Sequence, residues 1–272
     1  MVHIVDTLIE ERAEKLRQHP YLWSFVQRFM YPLFGYQDAV SLINHIQTMS
    51  GFDVFQHLSS TLKMQVHVEG LEHLPCSGRA ILMPNHPAGI ADGVAVFDAI
   101  KEIRPDVVFF ANRDAVRCHA RMNEILIPVE WMEHRRSITK TKETVRNMLQ
   151  AFHDERLIVI FASGRLARPT PIGLIERPWL TSGVSLAQKY QCPIVPMHIR
   201  GHNSALYYLL WFLNTELKDM TLFRELLNKT QQIYEIKIGQ AVTSDEDAET
   251  LTPALRNFVT KDLKRGETRF DQ

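Results

Sequence analysis

The run Leu157-Ile158-Val159-Ile160-Phe161 constrains the fold more than any other feature of this 272-residue chain. It lies between the charged Asp154-Glu155-Arg156 and Ser163-Gly164. A strand with one wet face alternates apolar with polar residues, whereas an unbroken apolar run fits a strand covered on both faces. Both faces of a sheet are covered by helices in an α/β fold. The surrounding pattern agrees. Val145, Met148, Leu149 and Phe152 fall at i, i+3, i+4 and i+7 and predict an amphipathic helix over 138–153. Strand-like runs occupy 66–68, 80–83, 107–110, 125–129, 194–199 and 233–238, with helical patterns near 94–103 and 180–190. Thr252-Pro253 predicts a cap and first position for a last helix whose face carries Leu255, Phe258, Val259 and Leu263. Residues 244–249 read as an acidic surface loop, and 1–60 as helical, with Leu42, Ile46 and Met49 on one face. The expected architecture is α/β: a mixed, largely parallel sheet flanked by helices over 61–272, with an N-terminal helical lobe over 1–60.

Lys plus Arg equals Asp plus Glu, 31 each, which argues against a dedicated nucleic-acid binder. Local basic clusters remain: His134-Arg135-Arg136, and Arg113, Arg117 and Arg121, which would form a stripe on a helix. Arg113 is retained as a candidate substrate ligand; solvated faces are the plainer explanation of either cluster. Three scattered cysteines without CxxC spacing suit a reducing compartment and give no metal signal. The acidic, amphipathic N-terminus is unlike a secretion signal. No apolar run reaches the ~20 residues needed to span a bilayer. The aromatic-rich segments 21–34 and 205–213 read either as buried helices or as elements of a membrane interface.

The chemistry concentrates in Asn85-His86-Pro87-Ala88-Gly89-Ile90-Ala91-Asp92-Gly93, directly after a strand-like run. Histidine accepts a proton near neutral pH, and a carboxylate fixes its tautomer and stabilises the charge it gains. Such a pair can activate a hydroxyl toward an acyl carbonyl. Alternatively, His86 merely completes a turn and Asp92 caps a helix. Ligands of open α/β sheets bind at the carboxyl ends of strands. Two further polar loops follow strands: Ser163-Gly164-Arg165, with Arg168 close behind, and Gly201-His202-Asn203-Ser204. Gly164 with Arg165 and Arg168 suits an anion.

Rival motifs fare worse. Gly183-Val184-Ser185-Leu186-Ala187 loosely matches a nucleophile elbow, but no carboxylate lies between Ser185 and His198 or His202. His198 and His202 have zinc-like spacing without the accompanying glutamate. No phosphate-binding glycine motif is present, so nucleotide binding has no support.

In combination, these blocks resemble the glycerolipid acyltransferases, to which lysophosphatidate acyltransferase belongs. That family pairs Asn-His with an Asp after four residues; here five intervene. The longer form, Asn-His-Pro-x-Gly-x-x-Asp-Gly, is similar to a sub-branch carrying hemolysin and lyso-ornithine-lipid O-acyltransferase labels. The Phe-Pro-Glu-Gly-Thr-Arg block corresponds to Phe161-Ala162-Ser163-Gly164-Arg165-Leu166, and Val-Pro-Val to Val195-Pro196-Met197. Gly201 to Tyr208 also resembles the sub-branch, and the likeness covers about 65–210. It implies that His86 is the general base and Asp92 its orienting partner. It further implies that Asn85, Arg113, Ser163, Gly164, Arg165, Arg168 and Asn203 serve substrate binding. There would be no acyl-enzyme, no metal and no cofactor beyond acyl carrier protein or acyl-CoA as co-substrate. The acceptor would be a lyso-lipid at the cytoplasmic face of the inner membrane. The departures at Ser163 and Arg165-Leu166 weigh against a phosphate acceptor and toward the carboxylate of an aminolipid such as lyso-ornithine lipid, with lysophosphatidate as the close runner-up. A catalytically silent lipid-binding protein of the same fold is the alternative.

Overall fold

The computed structural model describes residues 2–131 and 133–271. Among the described residues nine strands form two sheets: β1 (Gln65–Glu69), β2 (Ala80–Pro84), β3 (Val108–Asn112), β4 (Leu126–Val129), β5 (Leu157–Val159), β6 (Arg168–Thr170), β7 (Gly173–Ile175), β8 (Ile194–Arg200) and β9 (Ile233–Ile238). The main sheet runs β1-β9-β8-β2-β5-β3-β4, and β6 and β7 make a separate hairpin. Neighbouring strands of the main sheet are parallel except β8 and β9. The fold is the expected α/β class with a mixed, mostly parallel sheet.

The apolar run at 157–161 explains this layout. Its residues alternate between two cores, as a two-residue side-chain period requires. Ala80, Leu82, Leu157, Val159, Val195 and Met197 join the core on one face. Ile81, Met83, Ile158, Ile160 and Ile194 join the core on the other. β2 and β5 are therefore buried throughout, and Ile160 N–H still bonds Leu82 O at 2.9 Å beyond the formal end of β5. The first core is covered by helix Ile90–Ile100 and by the N-terminal helices, including Tyr36–Ile46 and Gly51–Leu62. Phe55 stacks on Phe109 at 5.2 Å, so the N-terminal helices share the sheet's own core. The second core is covered by helices Ile138–His153, Ser182–Lys189 and Ala248–Asn257.

Two local expectations fail. The last helix starts at Ala248, capped by the Asp247 carboxylate, which accepts the Glu249 N–H at 3.0 Å. Pro253 therefore lies inside the helix, and residues 248–249 belong to the helix rather than to a loop. Burial of Leu251 and Leu255 on one face fixes this register. The basic stripe is likewise absent. Arg113 precedes the short helix Asp114–Cys118, and Arg121 sits in a 3-10 turn beyond it. Each of the three arginines pairs with an acid: Arg113 with Glu143, Arg117 with Glu11, and Arg121 with Glu124.

Candidate active site

β2 is central, and its carboxyl end delivers Asn85 and His86. The His86 Nδ1 lies 2.9 Å from Asp92 Oδ2. Asp92, in the first turn of helix Ile90–Ile100, is fully buried. A carboxylate only accepts, so this contact places a proton on Nδ1 and leaves Nε2 able to take another. The same Oδ2 accepts the Ala88 N–H at 2.8 Å and the Gly89 N–H at 2.9 Å. The loop thus folds around one carboxylate oxygen. Gly89 adopts φ +93° and ψ −131°, a conformation essentially reserved for glycine. That conformation accommodates the five residues separating His86 from Asp92.

The second loop closes over the first. His86 stacks on Phe161 with ring centroids 4.2 Å apart. Its backbone carbonyl accepts the Ala167 N–H at 2.8 Å. Leu166 packs on Gly89, where a Cβ would stand 3.2 Å from its Cδ2. Gly164, at φ +59°, carries the Trp131 ring where a side chain would otherwise be. Its N–H donates to Phe161 O at 2.8 Å and is already engaged, so it is no free oxyanion donor. Ser163 Oγ donates to Arg165 O at 2.8 Å, closing the turn. Arg165 and Arg168 are exposed and hold no ion pair among the described residues.

The remaining expected ligands are engaged elsewhere or stand apart. Asn85 clamps the ends of β2 and β8 together: its Nδ2 donates to Ile199 O at 2.9 Å and its Oδ1 accepts Ile199 N–H at 2.6 Å. Both ends of that amide are used, which is a structural task. Arg113 spends its guanidinium on Glu143 (2.5 Å) and Lys140 O (3.2 Å). Asn203 is buried, and neither polar atom of its side chain has a partner among the described residues. Its loop is anchored by Glu225, which accepts from Ser204 N–H (2.7 Å) and Ser204 Oγ (2.6 Å). His198 lies inside β8 and His202 in the following loop, and no metal-binding group of His, Cys, Asp and Glu occurs among the described residues. Ser185 sits exposed within helix Ser182–Lys189, not on an elbow.

One residue in contact with His86 carries no signal in the sequence. Glu176, just past β7, reaches back to the loop after β2: its Oε2 accepts the His86 N–H at 3.0 Å and its Oε1 accepts Trp179 Nε1–H at 3.0 Å. Burial pushes its carboxyl above the ordinary range, opposed by the hydrogen bonds from His86 N–H and Trp179 Nε1–H and by the nearby Ser163 hydroxyl and His86 ring. A position 90 residues from its partner, in a run with no motif, gives no signal of such a contact.

The carboxyl edge of the parallel sheet thus holds a part-buried histidine on a fully buried carboxylate, closed over by a glycine turn. The family model described as acyltransferase matches residues 65–200, half of the chain. The chain belongs to the glycerolipid acyltransferase superfamily. Its curated relatives include the lyso-glycine lipid O-acyltransferases of Phocaeicola vulgatus and Bacteroides thetaiotaomicron. The first is 21% identical, covering 95% of this chain and 92% of the relative. The second is 20% identical, covering 95% of each. Among solved structures, the 1-acyl-sn-glycerophosphate acyltransferase PlsC of Thermotoga maritima shares the fold. Its TM-score is 0.51 at 14% identity, over 90% of this chain and 99% of that one.

Proposed function

We propose that this acyltransferase esterifies the free hydroxyl of a lyso-aminolipid bearing a carboxylate, of the lyso-glycine or lyso-ornithine type. The observation that carries the reading is the 2.9 Å contact between His86 Nδ1 and fully buried Asp92; the His86 carbonyl also accepts the N–H of Ala167, which lies in sequence between Arg165 and Arg168, both exposed and without an ion pair among the described residues. His86 Nε2 takes the hydroxyl proton as the oxygen attacks the thioester carbonyl. The tetrahedral intermediate expels the thiolate, which takes that proton back from His86. The ester and the free thiol of coenzyme A or acyl carrier protein leave, and no acyl-enzyme forms. Positioned acid–base catalysis of this kind is worth roughly 10²–10⁴-fold. Arg165 and Arg168 hold the acceptor's carboxylate; guanidinium–carboxylate pairing is charge-assisted and commonly bidentate.

The acceptor lies in a membrane, and two exposed apolar segments suit that surface. Tyr21, Phe25, Phe29 and Leu33 are exposed on one, and Leu209, Phe212 and Leu213 on the other. Helix Thr215–Met220 follows the second segment and packs against helices Ile4–Arg12 and Glu14–Arg17, which precede the first. Among the described residues no helix is long and apolar enough to cross a membrane. Contact would be peripheral, on the face where acyl thioesters are available.

An acceptor panel tests the assignment. Purified protein receives acyl-CoA or acyl-acyl carrier protein with lyso-glycine lipid, lyso-ornithine lipid and lysophosphatidate, and products are read by mass spectrometry. Diacyl product with the amino-acid lipids in preference to lysophosphatidate is expected. Preference for lysophosphatidate would overturn the acceptor assignment.

A further inference from the structure

Glu176 is a buried carboxylate that the pair chemistry leaves unused. Only 6% of it is exposed. The family's acid-bearing block has a serine here, Ser163, and the Ser163 hydroxyl lies against the Glu176 carboxylate. We propose that Glu176 is a positioning residue for acyl transfer, supplying from the hairpin side the acid that the block lacks and clamping the His86 backbone through its N–H.

The surroundings of Glu176 are built to hold it. Its own carbonyl accepts from Arg256 Nη2, and Arg256 Nε donates to Arg177 O at 2.8 Å. Helix Ala248–Asn257 thereby fixes the segment that carries the carboxylate. The opposite carboxylate oxygen is held by Trp179. His86 is in turn specified at every point but Nε2. Its N–H goes to Glu176, its carbonyl to Ala167, its Nδ1 to Asp92, and its ring face to Phe161. Glu176 and Asp92 are the two carboxylates in that set. A clamp needed for folding alone would be served by a neutral acceptor. A carboxylate whose charged form burial disfavours costs stability, as groups retained for activity commonly do. Its negative charge beside His86 also favours the imidazolium that forms as the hydroxyl is deprotonated.

The test is Glu176→Gln, which keeps the shape but replaces one acceptor oxygen with a donor. Both neighbours, His86 N–H and Trp179 Nε1–H, are donors, and the Gln oxygen can serve only one of them. Glu176→Ala, which serves neither, is therefore the variant in which hydrogen exchange by mass spectrometry reads the clamp. In it the peptide containing His86 should exchange about 10-fold or more faster, from the worth of a charge-assisted hydrogen bond. Peptides of Ile138–His153 and β8 should be unchanged, which establishes that the variant is folded. Steady-state kinetics reads the consequence. With a positioning role, kcat falls about 10–100-fold while KM for either substrate stays within about 3-fold. Unchanged exchange at His86, unchanged kcat, or a loss carried by KM would each overturn the proposal. The kinetic arm rests on the proposed acyl transfer; the exchange arm does not. A wild type without turnover would sink that reading and leave the clamp still decided by exchange.

Discussion

At the residue scale the site is organised by one oxygen. Asp92 Oδ2 takes three donors, two of them from the backbone of the loop it orients. Gly89 is the residue that makes the loop conformation affordable. Gly89→Ala imposes a strained backbone of order 1–3 kcal/mol and presses a methyl against Leu166. A lower melting temperature with acyl transfer reduced at least several-fold is expected; unchanged turnover would show that the loop geometry is not limiting. The His86 and Asp92 pairing was legible in the sequence because only a tight loop and the first turn of a helix separate them. The tasks of Asn85 and Arg113 were not, because their partners, Ile199 and Glu143, are brought near only by the sheet. Glu176 was invisible for the same reason.

At the element scale, periodic elements were legible and caps less so. Helix Ile138–His153 and strand β9 fall where the pattern puts them, since a full amphipathic period or an alternation leaves one register. The last helix was misread because Thr252-Pro253 mimics a start, whereas Asp247 caps six residues earlier relative to Pro253 and Leu251 already faces the core. His198, inside β8, has its pKa lowered from 6.5 to about 4, first by burial and then by Lys264. The folded protein keeps the ring neutral while the unfolded chain protonates near 6.5. That contribution is whole above pH 6.5 and is lost as pH falls toward 4, about 3 kcal/mol in all. His198→Leu should therefore flatten the fall in stability across that window, measured by denaturant midpoints. An unaltered slope would contradict this. Glu225 and Lys229, both buried, pair at 3.2 Å and anchor the Ser204 loop. Glu225→Ala leaves the Lys229 charge unpaired and should cost about 3–5 kcal/mol, with Lys229→Met in the same chain restoring much of it. No recovery would mean the lysine is not the source of the loss.

At the scale of the whole molecule, the fold places His86 and Asp92 at the carboxyl edge of the sheet and leaves aromatic side chains on flanking helices exposed. Phe25→Ser with Phe212→Ser removes two exposed aromatic anchors. Each is worth roughly 1.5–3 kcal/mol when buried, so binding to vesicles of phosphatidylethanolamine and phosphatidylglycerol should weaken at least 10-fold. Unchanged flotation would place membrane contact elsewhere. The class of fold was legible because both-face burial of 157–161 admits few alternatives; the exposure of the aromatic segments was not, because a core helix and an interfacial helix share one sequence pattern. In the proposed reaction His86 is the base that activates the acceptor. The most direct measurement is the rate of diacyl product from acyl thioester and lyso-glycine lipid, with wild type and His86→Ala compared at matched fold and vesicle binding. A loss of about 100-fold or more is predicted, from the usual worth of a positioned base; equal rates would contradict the account.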